Sequence, residues 1–127
     1  MRAHDNVIRV VIADDHRLFA DALEAILDAD ERLAVVGTAR DGAEAVELAR
    51  TLAPDVVLLD ISMPIMDGFA AARAIGALEK PPAVLMLTGS NSAQDVDRAR
   101  RAGARGYVTK DDIAATLVDA IVAAARR

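Results

Sequence analysis

Apolar residues follow two alternating patterns along this chain. Short runs rich in β-branched residues, at Val7–Ala13, Leu33–Thr38, Asp55–Asp60, Ala83–Leu87 and Ala104–Val108, predict five strands. In the clearest of them, Val56-Val57-Leu58-Leu59, the apolar positions are successive and do not alternate with polar ones. Such a strand is covered on both faces, as strands of a parallel sheet are. Between these runs the spacing turns helical. Phe19, Leu23, Ile26 and Leu27 form one stripe, and Ala45, Leu48, Ala49 and Leu52 another. The longest joins Ile113, Leu117, Ala120, Ile121 and Ala124. Asp41 with Glu44 is a helix start of capping-box type. Pro54 closes the second helix, Asp67-Gly68 opens the third, and Pro81-Pro82 precedes the fourth strand.

A fourth helix, within "SNSAQDVDRARRAG", has one sizeable apolar residue, Val96, supported by Ala93, Ala99 and Ala102. It can bury little surface, so it is either a solvated helix or a movable element. The order is β-α five times over, which predicts the α/β class: a five-stranded parallel sheet with helices on both faces. The 127 residues read as one domain, with its core at about residues 7–125 and no further module.

Composition narrows this picture in three ways. Hydrophobic residues make up 54% of the chain but aromatics only 2%, so the core must be aliphatic. The net charge of −5 argues against direct nucleic-acid binding, which rests on basic surface. There is no cysteine, which rules out disulfides and thiolate metal sites. No apolar stretch approaches the length of a membrane span, and "MRAHDNVIRV" lacks the apolar region of a signal peptide. The expectation is a soluble cytoplasmic protein.

In open α/β sheets, ligands bind beyond the carboxyl ends of the strands. The first strand runs into Asp14-Asp15, the third ends on Asp60, the fourth on Thr88, and the fifth is followed by Thr109-Lys110. Each has an ordinary reading by itself: a helix cap, an exposed strand end, a turn residue, a solvated loop charge. Their coincidence at one sheet edge is the specific signal. Three converging carboxylates repel and call for protons or a cation. Oxygen ligands suit Mg²⁺, with Mn²⁺ as the variant, and Lys110 can act as a point charge on an anion held at Asp60.

The set Asp14-Asp15, Asp60 in "LLDISMPIMDG", Thr88 in "LMLTGS" and Lys110 in "GYVTKD" resembles the receiver domain of bacterial two-component response regulators, the CheY-like family. The separations from Asp15 to Asp60 to Thr88 to Lys110 are 45, 28 and 22 residues, and the resemblance runs from about Val7 to Ala125. It implies a flavodoxin-like sheet of order 2-1-3-4-5. It also implies phosphoryl transfer from a sensor histidine kinase onto Asp60, with Mg²⁺ held by Asp14, Asp15, Asp60 and the backbone carbonyl of Ser62. Thr88 and Lys110 would bind the phosphoryl group, and Tyr107 would move with Thr88. The fourth helix, fifth strand and fifth helix would form the signalling face. Such a chain phosphorylates and dephosphorylates itself at Asp60 and turns over no separate substrate.

Ser62, Gly89 and Ser90 are small, which implies open access for phosphate and water and a moderate rate of phosphate loss. Asp111 follows the lysine where many receivers have proline. With "RAGARGYVTKDD", this makes the chain most similar to receivers of NarL/FixJ-type helix-turn-helix regulators, whose output is transcription. Other readings are a stand-alone receiver acting through protein–protein contact, an interaction domain with a degenerate site, and a metal-dependent aspartyl-phosphate phosphohydrolase. The last usually carries Asp-x-Asp, and here Asp60 is followed by Ile61-Ser62. Homodimers could form through the signalling face, with Arg100, Arg101, Arg105, Asp95, Asp97 and Asp112 as intermolecular partners, or through the first and fifth helices.

Overall fold

The predicted alternation is the observed one. The computed structural model describes residues 7–89 and 93–126. In chain order the elements are β1 (Ile8–Ala13), α1 (Arg17–Asp28), β2 (Leu33–Ala39), α2 (Gly42–Leu52), β3 (Val56–Asp60) and α3 (Gly68–Gly76). They continue with β4 (Ala83–Thr88), α4 (Ala93–Arg101), β5 (Gly106–Thr109), a 3₁₀ turn (Lys110–Asp112) and α5 (Ile113–Ala125). The strands form one parallel sheet in the order β2-β1-β3-β4-β5, which is the expected 2-1-3-4-5.

The consecutive apolar positions of each strand feed two separate cores. Val10, Ile12, Leu58, Leu85 and Leu87 pack with Leu23 and Leu27 of α1 and Leu117 and Ile121 of α5. On the other face Val11, Val57, Leu59 and Met86 pack with Ala45, Ala49, Phe69, Ile75 and Ala99 of α2, α3 and α4. Leu58 and Leu59 are adjacent and both fully buried; each contributes about 2 kcal/mol of hydrophobic burial.

Helix ends explain where the boundaries differ from expectation. β5 begins at Gly106, two residues later than its apolar run predicts, because Gly103 and Ala104 belong to the end of α4. The Gly103 N–H donates to the Arg100 carbonyl, the Ala104 N–H donates to the Ala99 carbonyl, and Gly103 has φ 99°. That is a Schellman closure, and its left-handed position takes glycine. At α2, Asp41 accepts from the Glu44 N–H as a cap at 2.8 Å, whereas Glu44 reaches back to the Arg40 N–H and not to that of Asp41. The same helix ends at Ala53, at φ 48°, where the Arg9 guanidinium donates to the Leu52 and Ala53 carbonyls, each at 2.8 Å.

The fourth helix is seated differently from the expectation. Val96 is only half-buried and Ala93 exposed; the buried residues are Ala99 and Ala102. Alanines let the helix backbone approach the sheet while its charged residues stay in water. Among the described residues, no helix is long and apolar enough to cross a membrane.

Candidate functional site at the carboxyl edge of the sheet

Strand register builds the site. Ala13 pairs with Leu59, so Asp14 lies one step on, beside Asp60; Asp60 pairs with Leu87, so Thr88 lies one step beyond it; and Thr88 pairs with Thr109, which puts Lys110 just past β5. Three strands and one turn thus deliver their polar residues to one edge. Asp14, Asp60 and Thr88 are the buried polar or charged side chains among the described residues, at 1%, 7% and 2% exposure.

The two neighbouring acids differ. Asp14 is buried, and its Oδ1 accepts from the His16 N–H at 2.8 Å. Its Oδ2 lies 3.1 Å from Lys110 Nζ, close enough for an ion pair but out of line for a hydrogen bond, and has no other partner. Asp15 is exposed. Neither caps α1, whose N-cap is His16 with no side-chain bond. Lys110 Nζ also lies 3.4 Å from Asp60 Oδ1 and sits 4.5 Å from the Phe19 ring centroid. Phe19 therefore positions the lysine as well as packing the core.

Burial raises the Asp60 carboxyl above its ordinary value, and the Asp14 charge adds to the effect. The Lys110 ammonium and the Ser62 N–H, which donates to Asp60, pull the other way and only partly offset it. Asp14, Asp15 and Asp60 each bring a carboxylate oxygen to within 4.8 Å of the others. This all-oxygen set, with one buried oxygen lacking a hydrogen bond, fits a hard divalent cation such as Mg²⁺ or Mn²⁺.

The loop from β3 to α3 closes tightly over this edge. The Gly68 N–H donates to the Ile61 carbonyl at 2.8 Å. A Cβ on Gly68 would lie 2.3 Å from the Asp60 carbonyl oxygen, so only glycine permits this return. Asp67 caps α3 through the Ala70 N–H. Between them the Met66 N–H bonds back to the Pro64 carbonyl at 2.7 Å across Ile65, which is 85% exposed with φ 69°. A β-branched residue in that region is strained. Beyond Thr88, a Cβ on Gly89 would meet nothing within 4 Å among the described residues. Ser62 is exposed; Ser90 lies outside the described residues.

The family model for the response regulator receiver domain matches residues 10–122. The chain belongs to this family. The receiver is 39% identical over 119 residues to the NarL protein of Mycobacterium tuberculosis, covering 94% of this chain and 55% of that protein. It is 39% identical over 120 residues to the transcriptional regulatory protein LiaR of Bacillus subtilis, covering 94% and 57%. The receiver spans little more than half the length of these relatives. Among solved structures, the signal receiver domain of M. tuberculosis NarL superposes with a TM-score of 0.91 at 38% identity, covering 95% of this chain and 98% of that one. The protein is therefore a receiver of the two-component type, similar to NarL-type regulators.

Tyr107 is 41% exposed and lines a groove of about 460 Å³ with Val96, Ala99 and Arg100, between α4 and β5. Three charges expected to serve intermolecular pairing are engaged within the chain. Arg101 pairs with Asp97 one turn away at 2.9 Å, and the Arg105 guanidinium donates to the Ala124 carbonyl at 2.7 Å. The Asp112 side chain lies outside the described residues. Sequence reading missed Arg9, Phe19 as a lysine platform, and a stack of Arg98 on Phe69. An arginine inside the apolar run "VIRVVIA" was the one visible signal among these.

Proposed function

We propose that Asp60 accepts a phosphoryl group from a sensor histidine kinase, and that the resulting aspartyl phosphate switches the face formed by α4, β5 and α5. The observation that carries this is the buried Asp60 carboxylate, clustered with Asp14 and Asp15 and lying 3.4 Å from the Lys110 ammonium, which also pairs with Asp14. Transfer forms a bond from an Asp60 carboxylate oxygen to phosphorus and breaks the phosphorus–nitrogen bond of the donor, whose electron pair leaves on the imidazole. Such a transfer needs placement and charge stabilisation more than covalent help. Asp14, Asp15 and Asp60, with the Ser62 backbone carbonyl, would hold Mg²⁺, which neutralises charge on phosphoryl oxygens.

Lys110, held by Phe19 and Asp14, offers a fixed cation to the same oxygens. The Thr88 hydroxyl donates to the added phosphoryl group, and Tyr107 changes position with it along the α4–β5 groove. The product binds the active arrangement more tightly, which is what a population shift requires. Ser62, Gly89 and Ser90 are small by sequence, which favours water access and a moderate rate of phosphoryl loss. The output is transcription through a DNA-binding region such as NarL-type regulators carry, in the cytoplasm.

Incubation with Mg²⁺ and acetyl phosphate, followed by intact mass, tests the central step. One phosphoryl adduct is expected, absent in Asp60→Asn; an adduct retained in that variant would refute the assignment.

A further inference from the structure

A second cation faces the carboxyl edge from α4. The Arg98 guanidinium carbon lies 4.1 Å from the centroid of the Phe69 ring. Phe69 is 2% exposed, so the ring is a fixed platform, whereas Arg98 is exposed. A cation–π contact at such a site biases the direction of a long side chain. Both residues line a cleft of about 520 Å³ that Asp15 and Ser62 also line. One member of the carboxylate cluster, Asp15, thus shares a cleft with a guanidinium. Of the acids nearby, Asp67 accepts from the Ala70 N–H and Asp97 pairs with Arg101, while Asp15 shares the cleft as one of the three clustered carboxylates.

We infer that Arg98 is a donor-specificity residue, one that receives the departing carboxylate when an acyl phosphate transfers its phosphoryl group to Asp60. The inference rests on Asp60 being the acceptor. In-line transfer puts the leaving group on the far side of phosphorus from Asp60, in front of the sheet edge, where the cleft is bounded by Asp15 and Ser62. With an acyl phosphate, an Asp60 oxygen–phosphorus bond forms and the phosphorus–oxygen bond to the acyl group breaks. The electron pair leaves on that oxygen, so a carboxylate departs without needing a proton. Its charge spreads over two oxygens in a plane, which the planar guanidinium fork matches as a point ammonium does not. With a phosphorus–nitrogen donor, the nitrogen keeps the electron pair and takes a proton, and it departs uncharged. Arg98 then has no new anion to meet.

The discriminating experiment compares acetyl phosphate with phosphoramidate on the full chain in Mg²⁺, following adduct formation by intact mass. Arg98→Gln is expected to slow acetyl phosphate about tenfold, the weight of one charge-assisted hydrogen bond, and phosphoramidate by less than about twofold. Arg98→Lys falls between, and added salt shrinks the acetyl phosphate effect. Phe69→Leu, which keeps packing but removes the platform, shows a smaller loss confined to acetyl phosphate. Equal losses with both donors, or no loss with either, overturn the inference. If the unsubstituted chain takes no phosphoryl group from either donor, the acceptor assignment itself falls. Normal labelling of the unsubstituted chain with an unchanged Arg98→Gln overturns only the role of Arg98.

Discussion

At the scale of single residues, Asp60 is held in a state the isolated fold disfavours. Its carboxyl sits above the ordinary value because it is buried beside Asp14, so the folded chain binds that proton more tightly than the unfolded one. Stability is therefore lost as pH rises through a window that starts at the unfolded carboxyl value, about 3.9, and ends at the raised folded one. Asp60→Asn is expected to stabilise the metal-free protein at pH 7 by about 1 kcal/mol, since relieving a buried charge conflict gains at least that. Urea unfolding in EDTA should show the advantage disappear at the acid end of the window. Mg²⁺ acts in the opposite sense. Binding the native state alone, it should raise the melting temperature of the unsubstituted chain in a concentration-dependent way and do so far less in Asp14→Asn. Asp14 and Asp15 are indistinguishable as letters, and only the strand end reveals that the first is buried and the second faces water.

At the scale of elements, close approach of one backbone to another decides which glycines are replaceable. A Cβ on Gly42 would lie 2.1 Å from the Met66 carbonyl oxygen, which accepts the Gly42 N–H, whereas one on Gly76 meets nothing within 4 Å. Gly42→Ala should cost more than about 2 kcal/mol through overpacking, and Gly76→Ala should gain about 0.5–1 kcal/mol through helix propensity. Chemical denaturation of the pair distinguishes steric need from flexibility. α4 buries Ala99 alone within its length, so its opening needs little free energy. Its amide hydrogens are expected to exchange faster than those of β3 and β4, and comparable protection across all three would contradict this. The weakness of this helix was legible from its few apolar residues. Its seat on alanines was not, because burial of a small residue depends on how near the sheet lies.

At the scale of the whole molecule, two cores share one sheet. Leu58 faces α1 and α5 while Leu59 faces α2 and α3. Truncation of either to alanine should cost about 3 kcal/mol, a usual figure for a buried leucine. Similar losses in one cooperative transition would show that both faces fold together, and two separate transitions would show that they do not. The carboxyl edge sits where both layers meet the strand ends, with Thr88 closing β4 and Lys110 just past β5 beside Asp60.

Periodicity and connectivity are local properties, so the sequence by itself determined the five strands, the helices between them, and the edge to which Asp14, Asp15, Asp60, Thr88 and Lys110 come. Tertiary structure alone decided how those groups interact. The ion pair of Asp14 with Lys110, the raised carboxyl of Asp60, the platform under Lys110 and the stack of Arg98 on Phe69 all depend on distances between residues far apart in the chain. Hydrophobic spacing specifies which face of an element turns inward. It does not specify which side chain from another element meets it there.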